Sequence, residues 1–413
     1  MAVPFTIPGE RVRISGLEPA RLVEILRASP HRVKAPCPHF GECGGCAWQH
    51  IAYAEQLRLK TALVHRLVRA AVPAAPAVTA MLPSTPMDAP WGYRQKVHFV
   101  FDGAPLVMGH YIRGSRRVLP VRECPVHDPR GNAVAFDFYA AFRGARVEAE
   151  RGGLRSLAIR VGASTDEMMA TLVVSKDADR RVREATRKAI SRQALSTSVH
   201  VNRNERRDAY VFGRETRRIA GAERMREVVA GTSLLVSPTA FFQTNVHAAE
   251  ILVRLVAAEV PPRARVLDLY AGCGLFALPL ARAGHQVTAV EENRTAVADG
   301  EASARLNRIP AERCQFIAKR VEEALMSRTI KARAASYDVV VLDPPREGCE
   351  AAVIQQVFGT LRPSRAVYIS CNPEALARDL ALIVSEGYVI RSLQPVDMFP
   401  HTAHVETVAV LER

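Results

Sequence analysis

Cys371 stands in the run Val367-Tyr368-Ile369-Ser370-Cys371-Asn372-Pro373, where apolar and β-branched residues lead into a turn and Glu374 opens a helical pattern. A cysteine at the carboxyl end of a strand lies on the edge where ligands bind in an open α/β sheet. A helix N-terminus beside it is expected to lower the thiol pKa and favour a nucleophilic thiolate. A lone cysteine is more commonly an inert buried side chain, so the case for a nucleophile rests on its companions.

Those companions end neighbouring strands. Asp268-Leu269-Tyr270-Ala271-Gly272-Cys273-Gly274 closes an apolar run, and Gly272 and Gly274 would let the backbone turn and approach a ligand at the next helix. Gly-x-Gly alone is shared with dinucleotide-binding sheets; the preceding Asp268 favours S-adenosylmethionine over NAD. Glu291, seventeen residues after Gly274, ends the second strand and is placed to accept hydrogen bonds from two ribose hydroxyls, with Glu292 as the alternative. Asp343-Pro344-Pro345-Arg346 ends the fourth strand. Enzymes that methylate amines tend to carry an aromatic after the two prolines, and Arg346 in its place points toward a carbon nucleophile instead. Carbon 5 of uracil is too weak a nucleophile by itself, but thiolate addition at carbon 6 makes it an enolate carbon. A base must then take the carbon-5 proton. Glu406 is the choice from Asp397-Met398-Phe399-Pro400-His401-Thr402-Ala403-His404-Val405-Glu406, with His401 and His404 as rivals better suited to supporting hydrogen bonds.

The elements that must position these groups form a β-then-α repeat. ARVLDLYAGCG, HQVTAVEEN, CQFIAKR, YDVVVLDPPREG, AVYISCNP, YVIRSLQPVD and VETVAVLER read as seven strands, with helical patterns between the first six and none between the last two. A closing antiparallel strand at the sheet edge follows. This is the doubly wound, Rossmann-like α/β architecture of class I methyltransferases.

Upstream, Cys37, Cys43 and Cys46 lie within ten residues among glycines 41, 44 and 45. Three thiolates at this spacing can converge on one metal centre. Cys124 is the natural fourth ligand, since no other cysteine falls between 47 and 272; the donor set suits zinc or an iron-sulfur cluster. His39, His50 and His127 are expected in surface or supporting roles. The scattered cysteines argue for a reducing compartment rather than disulfides. YAEQLRLKTALVHRLVRAAV has helical apolar spacing, residues 74–90 read as a connection, and Trp91 to about Leu235 reads as strands with one basic helix, DRRVREATRKAISRQA.

The 413 residues suggest two or three domains: a β segment over 1–34, a β-rich α+β domain over 35–228 that is interrupted by a helix at 51–73, and a catalytic domain over 229–413. The helix at 51–73 can pack on the catalytic domain. Lys and Arg number 56 against 42 Asp and Glu, a net charge of +14, which suits a polyanionic partner. RGSRR at 113–117, the basic helix and RNERR at 203–207, with Tyr93, Tyr111 and Tyr210 nearby, read as an RNA surface with stacking aromatics. No apolar run reaches membrane-spanning length and the first residues do not read as a signal peptide, so a cytoplasmic monomer is expected.

Together DLYAGCG, DPPREG, ISCNP, MFPHTAHVE and CPHFGECGGC with a distant cysteine resemble the RNA (uracil-5-)-methyltransferase family that includes the bacterial 23S rRNA and tRNA m5U enzymes. The resemblance implies nucleophile Cys371, base Glu406 and a [4Fe-4S] cluster on Cys37, Cys43, Cys46 and Cys124. It also implies S-adenosylmethionine contacts from Gln243 in SPTAFFQTN, Tyr270, Glu291 and Asp343, and an RNA substrate, with 23S rRNA favoured over tRNA. PFTIPGERVRI resembles the latter half of a TRAM β-barrel. The third strand ends at Lys319-Arg320, where the family tends to carry a polar contact to adenine; Arg320 is expected to turn away. The rival readings are a cytosine-5-methyltransferase using the same thiolate logic and a non-catalytic RNA-binding or folding factor that retains the sheet.

Overall fold

The computed structural model describes residues 3–16, 20–175, 180–193, 197–206, 211–328, 330 and 337–413. The chain opens with β1 (Arg11–Ser15) and β2 (Arg21–Arg27), an antiparallel pair with bulges in its register. Helix α1 (Tyr53–Ala71) follows and buries Tyr53, Leu57, Val64 and Val68, the stripe that 3.6-residue periodicity predicts. Lys60 lies in the same stripe and is fully buried, which a helix facing only apolar groups would not tolerate.

A seven-stranded sheet fills the middle of the chain. Its strands are β3 (Lys96–Asp102), β4 (Val107–Tyr111), β5 (Val118–Pro120), β6 (Leu154–Val161), β7 (Met168–Val174), β8 (Thr197–Arg203) and β9 (Glu215–Ala220). They stand in the order β5-β4-β3-β6-β7-β8-β9, all neighbours antiparallel except β7 with β8. One face packs on two helices, not on the single basic helix expected. The basic helix is Arg180–Ile190, and α2 (Pro129–Gly144) lies beside it. Asp128 caps α2 by accepting from the Arg130 N–H, Pro129 supplies a preset first turn, and Val134, Ala135, Phe138, Ala141 and Phe142 form its buried face. The Ala-rich spacing between aromatics in this stretch conceals a helical stripe that a search for strands passes over.

The hairpin β10 (Met225–Val229) and β11 (Thr232–Val236) straddles the expected boundary at 228/229, and its Val229, Leu234 and Val236 pack in the catalytic core. The second seven-stranded sheet comprises β12 (Arg265–Leu269), β13 (Gln286–Glu291), β14 (Cys314–Ala318), β15 (Val339–Leu342), β16 (Arg365–Ser370), β17 (Val389–Val396) and β18 (Glu406–Glu412). Its order is β14-β13-β12-β15-β16-β18-β17, parallel through β16, with β18 inserted antiparallel between β16 and β17. The wholly buried Val339-Val340-Val341-Leu342 of β15 is what a central parallel strand covered on both faces requires. This is the Rossmann-like sheet expected from the sequence. Helix α1 packs against the helix Pro373–Ser385 and joins the core on one face of this sheet. Among the described residues no helix is long and apolar enough to cross a membrane.

Because Phe138 is fully buried in the helix-covered core of the central sheet, Phe138→Ala should cost about 3–5 kcal/mol. Urea unfolding measures it; a loss below about 1 kcal/mol would show that α2 contributes no packed core.

Candidate active site

The carboxyl ends of β12, β13, β15 and β16 open on one cavity of about 930 Å³. In-register pairing fixes this edge: Leu269 lies beside Leu342 and Val290, so Tyr270, Glu291 and Asp343 emerge together. Gln243, Tyr270, Gly272, Glu291, Asp343, Cys371 and Glu406 all line the cavity. Gly274 does not. With φ of +91° and a Cβ that would sit 2.9 Å from Leu278 Cγ and Phe316 Cζ, it serves the turn and the helix packing behind the ligand surface. Gly272, at φ +55°, has open space where a Cβ would stand and faces the cavity.

Glu291 accepts from the Gly272 N–H at 2.9 Å and the Asn293 N–H at 2.7 Å, which aims its carboxylate across the mouth of the glycine turn. A carboxylate has lone pairs beyond these two, so it can still accept from ribose hydroxyls. Glu292 also lines the cavity and is exposed. Arg320 does not turn away as expected: it lines the cavity together with its partners Glu322 and Glu350, at 3.4 and 3.5 Å. The walls therefore offer a ribose-binding acid, an aromatic at Tyr270, the amide of Gln243 and a half-buried carboxyl at Asp343, a set that fits S-adenosylmethionine.

Cys371 follows β16 directly. Asn372 caps the helix Pro373–Ser385 by accepting from the Glu374 N–H, and its Nδ2 donates to the Arg346 carbonyl at 3.0 Å, tying the cysteine turn to the Asp343-Arg346 turn. Ser370 of β16 pairs with Thr407 of β18. Cys371 and Glu406 are the next residues along from that pair, and both line the cavity. Glu406 is buried, and burial together with the charge of Asp343 holds its carboxyl well above the usual range. Burial pushes Asp343 up to about 7. The two carboxyls interact, and the charge of Asp343 disfavours ionisation of Glu406.

The same field acts on the thiol. The helix N-terminus was expected to lower the Cys371 pKa; instead burial, then Glu406 and Asp343, push it up to about 11, with Arg346 opposing them. Asn372 occupies a helix-end donor, and two carboxyls outweigh one partly exposed guanidinium. Of the rival bases, His401 is stacked on Trp91 at 4.0 Å, and its ring nitrogens engage Gln56 and the Pro90 carbonyl. His404 lines the cavity beside Arg346, Nδ1 to Nη2 3.4 Å, with Phe399 edge-on to it.

Cys37, Cys43, Cys46 and Cys124 line a second cavity of about 810 Å³, and all are free thiols. Burial raises the pKa of Cys43 and Cys46 and pushes Cys124 up to about 12. Gly45 and Arg94 line both cavities, so one wall separates the thiol group from the catalytic edge. His50 and His127 are buried, not on the surface.

The basic stretches fare unevenly. Arg116 and Arg117 are exposed, whereas Arg113 donates to the Cys46 carbonyl at 2.6 Å and lies over the Phe5 ring. Tyr93 cannot stack on a base, because it is 3% exposed and donates its hydroxyl to the Pro400 carbonyl. Tyr111 is exposed; Tyr210 and Arg207 lie outside the described residues. The sequence reading overlooked Phe241, 68% exposed on the cavity rim. The doubled aromatic before Gln243 was its only signal.

A seven-stranded sheet with β18 turned back, and a cavity at its carboxyl edge, define a Rossmann-like S-adenosylmethionine-dependent methyltransferase. A family model described as tRNA (uracil-5-)-methyltransferase matches residues 162–413. An uncharacterized RNA methyltransferase of Gloeobacter violaceus is 38% identical over 95% of this chain and 86% of its own, and one of Listeria monocytogenes is 31% identical over 99% and 92%. The crystal structure of Pyrococcus abyssi tRNA (uracil-54, C5)-methyltransferase in complex with S-adenosyl-L-homocysteine superposes with a TM-score of 0.79 at 27% identity, covering 99% of this chain and 94% of that one. The chain belongs to the tRNA (uracil-5-)-methyltransferase family and is an RNA methyltransferase.

The raised thiol yields a direct test. The rate of Cys371 alkylation by iodoacetamide, followed by peptide mass spectrometry, should rise with pH toward a midpoint near 11. The Glu406 carboxyl opposes the thiolate, so Glu406→Gln removes that opposition and should move the midpoint down. A wild-type midpoint at or below the ordinary thiol value of about 8.5 would refute this account.

Proposed function

We propose that the protein methylates carbon 5 of a uridine in structured RNA, with Cys371 as nucleophile and Glu406 as base. The observation that carries this reading is the arrival of both side chains at one cavity from adjacent antiparallel strands. S-adenosylmethionine, when bound, supplies an electrophilic methyl group. Gln243, Tyr270, Gly272, Glu291 and Asp343 hold it, leaving the Cys371 and Glu406 end of the cavity for the base. Cys371, having given up its proton, adds through Sγ as the thiolate to carbon 6, and the ring electrons gather at carbon 5, which takes the methyl group as the sulfonium–methyl bond breaks and the neutral thioether leaves. Glu406 then removes the carbon-5 proton, and the electron pair left behind expels the Cys371 thiolate. A carboxyl held above its usual range is the stronger base for a carbon-bound proton. The target uridine must leave its stack to reach this depth, and Phe241, Phe399 and His404 at the mouth offer faces to receive it.

On this reading residues 229–413 form the catalytic unit and 35–228 present the flanking RNA, as a monomer in the cytoplasm. By resemblance the substrate is 23S rRNA. A tRNA substrate is the second reading, favoured by the near full-length match to the Pyrococcus abyssi enzyme. The four thiols fit a [4Fe-4S] cluster: they are soft donors around one cavity. Among the described residues no three Cys, His, Asp or Glu side chains gather tightly enough to hold a metal ion as they stand, and the choice of cluster over zinc rests on the resemblance. Bound there, the cluster would brace residues 37–46 against β4 and β5, shaping the RNA surface.

Methyl transfer from labelled S-adenosylmethionine to total RNA lacking m5U tests the activity. Wild type should label one RNA, 23S rRNA on the first reading and tRNA on the second. Glu406→Gln should lower turnover by about 10²–10⁴ and leave a protein-RNA adduct on denaturing gels that Cys371→Ala abolishes. No label from protein containing iron and sulfide would refute the proposal. Separately, Cys43→Ser should lose iron together with solubility or RNA affinity; full retention of both would contradict a structural role for the cluster.

A further inference from the structure

The loop that delivers Glu406, residues 397–405 between β17 and β18, makes none of its early contacts with the catalytic sheet alone. Every backbone carbonyl from Asp397 to His401 accepts from a group outside the β17–β18 hairpin. Ser84 Oγ donates to Asp397 at 2.6 Å, Asn245 Nδ2 to Met398 at 3.0 Å, Lys60 Nζ to Phe399 at 3.0 Å and Tyr93 OH to Pro400 at 2.9 Å. The His401 carbonyl takes the Ala47 and Trp48 N–H groups at 3.0 and 2.9 Å, from the residues directly after Cys46. At the centre lies a fully buried ion pair, Lys60 Nζ to Asp397 Oδ1 at 2.6 Å, completed by Tyr53 OH to Asp397 Oδ2 at 2.8 Å. Asp397 follows Val396, which pairs with Glu406, so the pair sits at the root of the base-bearing strand.

A buried ion pair is weak evidence for stability, because desolvation offsets its attraction. What it does fix is geometry: a lysine with no water around it has one place for its charge. We infer that Lys60 is a positioning residue for Glu406, through which residues 47–93 set the proton-abstraction step. This inference rests on the reaction proposed above. Methyl addition needs Cys371, on β16 and its own helix cap, and does not depend on this clamp. Abstraction of the carbon-5 proton depends on where Glu406 stands. Loosening the clamp should therefore slow release of the adduct more than its formation.

Lys60→Met alone leaves Asp397 buried without its partner and endangers folding, so the test uses the Lys60→Met/Asp397→Asn pair, which removes both charges. The full-length protein, with labelled S-adenosylmethionine and RNA lacking m5U, is assayed for product and for adduct on denaturing gels, alongside its thermal midpoint. Turnover should fall at least tenfold while the adduct fraction rises, as in Glu406→Gln. Tyr93→Phe, which deletes one hydrogen bond to the same loop, should raise the adduct fraction severalfold less and keeps the test standing if the double variant is insoluble. Adduct and product falling in step in the soluble variants, or unchanged turnover, would overturn the inference. Absence of methylation by the wild type would instead sink the proposed reaction itself.

Discussion

The insertion of β18 antiparallel between β16 and β17 is the constraint on which the site depends. In a sheet of parallel strands only, every strand presents its carboxyl end to the ligand edge. Turning one strand back brings an amino-terminal residue to that same edge, and here the residue is Glu406. The Ser370–Thr407 pairing sets its level against Cys371, and a slip of one residue would carry Glu406 to the opposite face. The near-continuous burial of β18, from Glu406 to Leu411, specifies that register strongly.

That arrangement concentrates acid. Asp268 and Glu406 are buried and Asp343 is half-buried at one end of the sheet, and all three are raised from their ordinary values, desolvation being the main cause in each. Asp268 is wholly buried, and the Ala277 N–H is the one backbone group that favours its charged form. Such a group costs stability when charged, so it is kept neutral or opposed by a cation. Positive charge entering the cavity therefore relieves Asp343, Glu406 and the Cys371 thiol together. The acids favour a cationic ligand, and that ligand's charge is what the Cys371 thiolate requires.

Much of this was legible in the chain. The seven strands, their antiparallel closure and the residues that line the cavity could be read because each motif ends an apolar run whose length marks a strand. Three things were not. Helix α2 was missed because alanines between its phenylalanines blur the stripe. The Cys371 pKa was read in the wrong direction because a helix end is visible locally, whereas the opposing Glu406 and Asp343 arrive from other strands. Tyr93 was taken for a stacking surface because neighbouring cations in sequence say nothing about burial; its hydroxyl is bound to Pro400, more than three hundred residues away.

The same long separations explain why the amino-terminal region cannot be an appendage. The family match spans 162–413, yet the donors that hold the loop before Glu406 come mainly from residues 47–93. Asn245 adds a link of its own, accepting from Ala248 N as helix cap while donating to Ser84 and Met398. An active site built from one sheet would need only that sheet to fold. This one needs the loop before Glu406 closed from outside, and two of the closing residues, Ala47 and Trp48, follow directly on the cysteine-rich segment. Whatever orders Cys37 to Cys46 therefore also orders the Ala47 and Trp48 donors, and through them the loop before Glu406.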